Sequence, residues 1–231
     1  MKKIFILLVA VLTASSVMAE GYPTKFLGIP IDGTKQEMKK KIMAKGFTYD
    51  PDHDCLTGQF NGSDVNVFIV TNGEKVWRVM VSESTFFSER EIRIRFNNLL
   101  RQFQKNKKYI PLQDKDFRLP EDEDISYEMA VHDKRYSAEF LQITHEIDTA
   151  LIYSALTENL PKLGEEYGVE LSLDSINEID KQLLLQSTFN LACMYAFEKN
   201  QVWCLINEFY GRYFISIYYD NGYNRADGED L

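Results

Sequence analysis

Two Asn-Gly pairs, Asn61-Gly62 and Asn72-Gly73, separate three runs of strand-forming residues, Cys55–Phe60, Asp64–Thr71 and Lys75–Ser82. Asn-Gly adopts positive φ at both central positions of a two-residue hairpin turn more readily than any other natural pair, so this spacing predicts a three-stranded antiparallel meander. In the middle run Val65, Val67 and Ile69 alternate with Phe68 and Val70. Both faces are apolar, and cover is expected on both. One cover follows in sequence: Ser88 with Glu91 forms a capping box, and Ile92, Phe96, Leu99, Leu100 and Phe103 recur at helical spacing to about Lys105. A matching box, Thr34 with Glu37, opens a helix before the meander; Met38, Ile42 and Met43 form its stripe and Gly46 is its stop.

Residues 106–124 hold Pro111, Pro120 and the acidic run Glu121 to Asp124, and mark an internal boundary. Two strands are expected next, Ile125–His132 and Arg135–Ile143, turning at Asp133-Lys134. Thr144 begins a helical stretch through Ile147, Leu151 and Ala155 to Leu160, stopped by Pro161 and Gly164. Asp174 caps another helix, with Ile176, Ile179 and Leu183 facing inward. From 182 to 198, Phe189, Leu191, Cys193, Tyr195 and Phe197 alternate with Asn190, Ala192, Met194 and Ala196, and the period of two predicts a strand. Val202–Phe209 and Tyr213–Tyr219 complete a second meander, turning at Lys199-Asn200 and Tyr210-Gly211. The expected class is therefore α+β, with antiparallel meanders packed against helices in two helix-plus-meander units. The expected divisions are 20–105, a linker-like 106–124, and 125–231.

The amino terminus reads as an address. Lys2 and Lys3 precede the apolar stretch Ile4 to Leu12, and Val17-Met18-Ala19 puts small residues where signal peptidase cuts. Residues 1–19 are thus expected to be a cleaved signal peptide, leaving a soluble protein in the periplasm or outside the cell. The apolar run is about half of the ~20 residues that span a bilayer. Glu20 follows the cut where a lipoprotein would carry cysteine, so no membrane anchor is expected after cleavage. The formal charge is −9, and an acidic surface without a basic stripe excludes a nucleic-acid partner. The basic residues Arg90, Arg93, Arg95, Arg101, Lys105, Lys107 and Lys108 are interleaved with acids, as on a solvated helix face. Three cysteines make an odd count, so the core rather than a disulfide framework must hold the fold.

Neither a cofactor nor a catalytic residue is expected. His53, His132 and His145 lack a second ligand at metal-binding spacing. Asp50, Asp52 and Asp54 imitate the start of a calcium loop, but Cys55 and Asn61 stand where such a loop needs glycine and glutamate. There is no Gly-x-Ser-x-Gly elbow and no phosphate loop. Cys55 opens a strand with nothing nearby to lower its pKa. If a hairpin turns at Lys199-Asn200, Cys193 opposes Ile206 and Cys204 opposes Tyr195, so the two sulfurs lie diagonally, too far apart for a disulfide, and two free buried thiols are expected. The enriched feature is aromatic. Trp203, Tyr210, Tyr213, Tyr218, Tyr219 and Tyr223 cluster near the carboxyl end, and such rigid amphipathic surface suits recognition of proteins or glycans. Core packing is the bland alternative for Tyr213 and Tyr219.

Phe26-Leu27-Gly28-Ile29-Pro30-Ile31-Asp32-Gly33-Thr34, Lys45-Gly46-Phe47 and Leu56-Thr57-Gly58-Gln59-Phe60-Asn61-Gly62, with the ending Tyr218-Tyr219-Asp220-Asn221-Gly222-Tyr223-Asn224 and Gly228-Glu229-Asp230-Leu231, resemble a family of exported proteins of Bacteroides-type bacteria. Against shorter members, residues 144–186 look like a helical insertion. Lys108-Tyr109-Ile110-Pro111 departs from the family's Lys-Tyr-Gly-x-Pro turn. The resemblance implies export and fold, and transfers no catalytic residue. The function expected is a non-catalytic binding protein of the cell envelope. An inhibitor or immunity-type protein capping another protein is the alternative, and an unrecognised periplasmic hydrolase comes third.

Overall fold

A computed structural model describes residues 22–112 and 118–226. The expected meander forms: β4 (Cys55–Phe60), β5 (Ser63–Asn72) and β6 (Lys75–Glu83) pair antiparallel. Asn61 and Gly62 both take positive φ, 51° and 76°, as a type I′ turn requires. At the second turn only Gly73 is positive, at 55°. That is the type II′ pattern, with the turn shifted one residue to Gly73-Glu74.

Five helices and ten strands form among the described residues. A two-stranded ribbon, β1 (Lys25–Phe26) and β2 (Ile29–Pro30), leads into α1 (Lys35–Met43). The eight-stranded sheet runs β3-β4-β5-β6-β10-β9-β8-β7. Here β3 is Thr48–Asp50, β7 is Tyr109–Pro111, β8 is Ser137–Gln142, β9 is Asn200–Phe209 and β10 is Arg212–Asn221. Every pairing is antiparallel. Two four-stranded halves, β3–β6 and β7–β10, meet through their last strands. Each is preceded by a helix with a complete capping box, Thr34/Glu37 before α1 and Ser88/Glu91 before α2 (Glu89–Lys105). The fold is α+β.

The two helices and one sheet face enclose the core. Met38 and Ile42 of α1 and Ile92, Phe96, Leu100 and Phe103 of α2 are buried with Val65, Val67, Val79, Val81, Val202, Cys204, Ile215 and Ile217. Arg95 of α2 pairs with Glu83 of β6, whose other oxygen accepts the Ile215 amide at 3.1 Å. This ties the helix to the seam between the halves. On the opposite face Phe68 is half-buried and Val70 exposed, so the symmetrical cover expected for β5 is found on one face only.

Four local expectations are corrected. Residues Ile125–His132 form α3, not a strand. The Asp124 side chain accepts the Tyr127 amide at 2.9 Å, Glu89 accepts the Ile125 amide at 2.9 Å, and Asp133 closes the helix at φ 48°. These end contacts outweigh the β-propensity of Ile125, Tyr127 and Val131, of which only Ile125 is buried. The helix from Thr144 instead begins at Thr149, capped by Asp148, and runs to Tyr167 as α4 with Pro161 inside it. Gly164 does not stop it; a β-carbon there would lie 2.5 Å from the Val169 carbonyl, so glycine permits a close chain return. Asn177, not Asp174, caps the next helix, and Ile179 and Leu183 are exposed. That helix, α5 (Glu178–Phe197), replaces the strand expected over 182–198, because Leu184, Thr188, Ala192, Cys193 and Phe197 bury one helical face.

The chain divides into two compact units. Of the described residues, one unit holds 23–112, 118–144 and 199–226, hence the sheet; the other holds Tyr22 and His145–Glu198. The second unit has its own core of Ile152, Leu156, Leu160, Leu163, Leu173, Leu184 and Ala192. With α5 helical, no hairpin turns at Lys199-Asn200, and the diagonal cross-strand register expected for Cys193 and Cys204 does not exist.

Candidate functional site

The register of the central strands aligns side chains on the sheet face opposite the core. Phe68 lies against Met80, Met80 against Tyr218, Tyr218 against Trp203 and Trp203 against Glu139. An apolar row thus crosses β5, β6, β10 and β9 and ends on a carboxylate of β8. The neighbouring row carries charge. Arg78 of β6 lies against Asp220 of β10, which lies against Gln201 of β9.

These rows interlock. Trp203 and Tyr218 stack at 3.8 Å between centroids with planes 9° apart. Arg78 grips Asp220 with two bonds of 2.6 Å, and Trp203 Nε1 donates to the same carboxylate at 3.1 Å. The Arg78 guanidinium also lies 4.2 Å from the Trp77 ring, 5.1 Å from Tyr218 and 5.3 Å from Trp203. Asp220 is only 4% exposed and Arg78 22%. The pair is planar, bidentate and framed by aromatic rings, the arrangement for which arginine is better suited than lysine.

Beside this cluster opens a cavity of about 230 Å³ lined by Arg78, Glu139, Gln201, Trp203, Asp220 and Arg225. Arg225 follows β10 and its guanidinium lies 5.9 Å from the Trp77 ring. Tyr218 does not line the cavity, so the indole of Trp203 alone gives it an aromatic wall. Comparison with known protein families, curated proteins and solved structures finds no match to this chain. The cavity's chemistry therefore rests on its own residues.

The six aromatic residues picked out by sequence separate into four places. Trp203 and Tyr218 form the stack on the outer face. Tyr213 and Tyr219 point the other way and are buried in the core, and burial pushes the Tyr219 hydroxyl well above its ordinary pKa. Tyr210 is 89% exposed at the β9–β10 turn, and Tyr223, after β10, is 41% exposed. Around Tyr210 sits a second aromatic group. Phe209 contacts Tyr210 at 4.6 Å and Phe86 at 5.8 Å, while Phe86 meets Phe214 at 5.4 Å. Sequence reading missed Arg78, Asp220, Glu139, Gln201 and Arg225. Alternation from Tyr218 places Asp220 on the same face, and that was the available signal.

Other candidates have structural roles. Asp54 accepts from Lys35, Lys39 and Tyr49 at 2.6, 2.7 and 2.9 Å, and these partners hold its carboxyl far below the usual range. Asp50 binds His53 and the Asp52 amide. All three thiols are free and buried. Burial raises Cys193 to about 11 and Cys204 to about 12, which disfavours the nucleophilic thiolate. Among the described residues no helix is long and apolar enough to cross a membrane.

Proposed function

We propose that this chain is an exported, non-catalytic binding protein of the cell envelope, and that it recognises its ligand on the outer sheet face around Trp203. One observation carries the reading: the Trp203–Tyr218 stack beside a cavity whose buried carboxylate is already held by Arg78 and the indole. A carboxylate held by two fixed partners serves as scaffold, not as a proton shuttle. The rigid aromatic wall next to it supplies contact area at little entropic cost.

Export is supported by Lys2 and Lys3, the apolar stretch Ile4–Leu12 and the Ala19–Glu20 junction. Mass measurement of the protein purified from cells should give Glu20 as its first residue. Capture from envelope extract tests the binding reading, with wild type compared against Trp203→Ala and the pair Phe209→Ala/Tyr210→Ala. Loss of a captured component in the Trp203 variant, with an unchanged circular dichroism spectrum, is the expected result. Identical recovery from all three proteins would reject it. Loss confined to the Phe209/Tyr210 pair would instead favour a protein that caps a partner with its β9–β10 turn, a reading motivated by the exposed Phe86, Phe209 and Tyr210.

A further inference from the structure

Resting on the binding reading of the outer face, we infer that the cavity beside Trp203 is a subsite for one neutral pyranose ring of a glycan. Three side chains that line it, Glu139, Gln201 and Arg225, make no side-chain hydrogen bond or ion pair with a described residue. The other polar groups are satisfied within the protein: Arg78 and Asp220 hold each other, and Trp203 Nε1 donates to Asp220. The cavity therefore offers a carboxylate acceptor, an amide that both donates and accepts, and a guanidinium donor. All three line the cavity together with the Trp203 indole.

A pyranose is complementary to this set. One face of the ring carries mostly C–H bonds, whose positive hydrogens suit the negative face of an aromatic system. Its rim carries hydroxyls that donate and accept at once. Glu139 can accept from them, Arg225 can donate, and Gln201 can do either. A ligand limited to donors or to acceptors would leave part of the set unmatched.

Charge and size narrow the class. Arg78 is balanced by Asp220, and Arg225 by Glu139, so the lining carries no net charge. The chain as a whole is at −9, which disfavours phosphorylated or acidic sugars through long-range repulsion. At about 230 Å³ the cavity is smaller than the roughly 300–1,000 Å³ of pockets that enclose drug-sized ligands. It fits one ring, with the rest of a chain lying along the sheet. A nucleobase also stacks on indole, but it presents two π faces, and Trp203 is the one aromatic side chain in this lining, so its second face would go unmatched.

The full chain carries its own reporter, since its two tryptophans are Trp77 and Trp203. Fluorescence titration with methyl pyranosides and neutral oligosaccharides, alongside uronic acids and nucleosides, tests the assignment. A saturable change with a neutral sugar is expected, weakened at least tenfold by Glu139→Gln and by Gln201→Ala. Both positions lack side-chain partners, so both variants should keep the wild-type circular dichroism spectrum and melting temperature. Saturation only by nucleosides, tighter binding of a uronic acid than of its neutral parent, or no response to any sugar would each overturn the assignment. If sugars fail while Trp203→Ala still loses a captured component, the outer face binds something other than a pyranose. If both fail, the binding reading falls with it.

Discussion

Arg78 and Asp220 face each other across the seam between the two halves of the sheet, joined by two hydrogen bonds of 2.6 Å. Asp220 also accepts from the Trp203 indole, and its backbone carbonyl accepts from the Thr24 hydroxyl near the amino end of the described chain. One carboxylate thus orders the aromatic stack while its own backbone anchors a distant segment. Removing Arg78 would leave a buried charge with a single indole donor. Breaking a fully buried pair costs roughly 3–5 kcal/mol. Arg78 is partly exposed, so Arg78→Ala should cost about 2–3 kcal/mol in urea unfolding, and Arg78→Leu/Asp220→Leu should cost less than either single change. A double variant as unstable as the sum of the singles would show that the pair is not coupled.

Tyr210 sits at φ 51° and is almost fully exposed. The left-handed region costs an L-residue about 1 kcal/mol or more, and asparagine tolerates it better. The ring contact with Phe209 returns about 0.5 kcal/mol. Tyr210→Asn should therefore stabilise the protein by about 0.5 kcal/mol, seen as a small rise in melting temperature. A clear fall would show that the ring contributes more to the fold than its exposure suggests.

The segment His145–Glu198 is a compact unit interpolated between β8 and β9, which are themselves antiparallel neighbours. Leu141 pairs with Gln201, and Asn200 Nδ2 donates to the Thr144 hydroxyl at 3.1 Å. The points of entry and exit are thus already close. Joining Thr144 to Lys199 through Asn-Gly should give a protein that keeps β-rich circular dichroism and melts in one cooperative step. A disordered product would mean that the helical unit is required for the sheet to form.

Burial raises the pKa of Cys193, Cys204 and Tyr219. In each case the folded state holds its proton to higher pH than the unfolded chain, so the stabilisation is complete below the unfolded value, near 9 for the thiols. It is lost as pH rises towards 11–12. Urea midpoints should fall steadily from pH 9 to 11, and Cys204→Ala should flatten that slope. Native protein at pH 8 should react slowly with a thiol reagent, and denatured protein should release three thiols. Fast labelling of the native protein would contradict the burial.

Signals carried by neighbouring residues were legible in the sequence. Asn61-Gly62 set the first hairpin, the boxes Thr34/Glu37 and Ser88/Glu91 started α1 and α2, and Ile92, Phe96, Leu99, Leu100 and Phe103 marked the buried face of α2. In each case the deciding contact lies within about four residues, so the chain encodes it without reference to the rest of the fold.

Residues 182–198 show the limit. Their alternating aromatics satisfy a period of two, while Leu184, Thr188, Ala192, Cys193 and Phe197 satisfy the helical period equally well, and packing within the 145–198 unit selects the helix. The candidate site is likewise a product of the tertiary structure. Trp203, Arg78, Asp220 and Glu139 come from four strands, and their sequence separations are spanned only when β6 pairs with β10 and β9 pairs with β8. The sequence by itself determined the first meander, its two capped helices and the α+β class, because those are local. Which aromatics are buried, which charges pair and where a cavity opens depend on register between distant strands. That register is set by burying one face of the whole sheet at once.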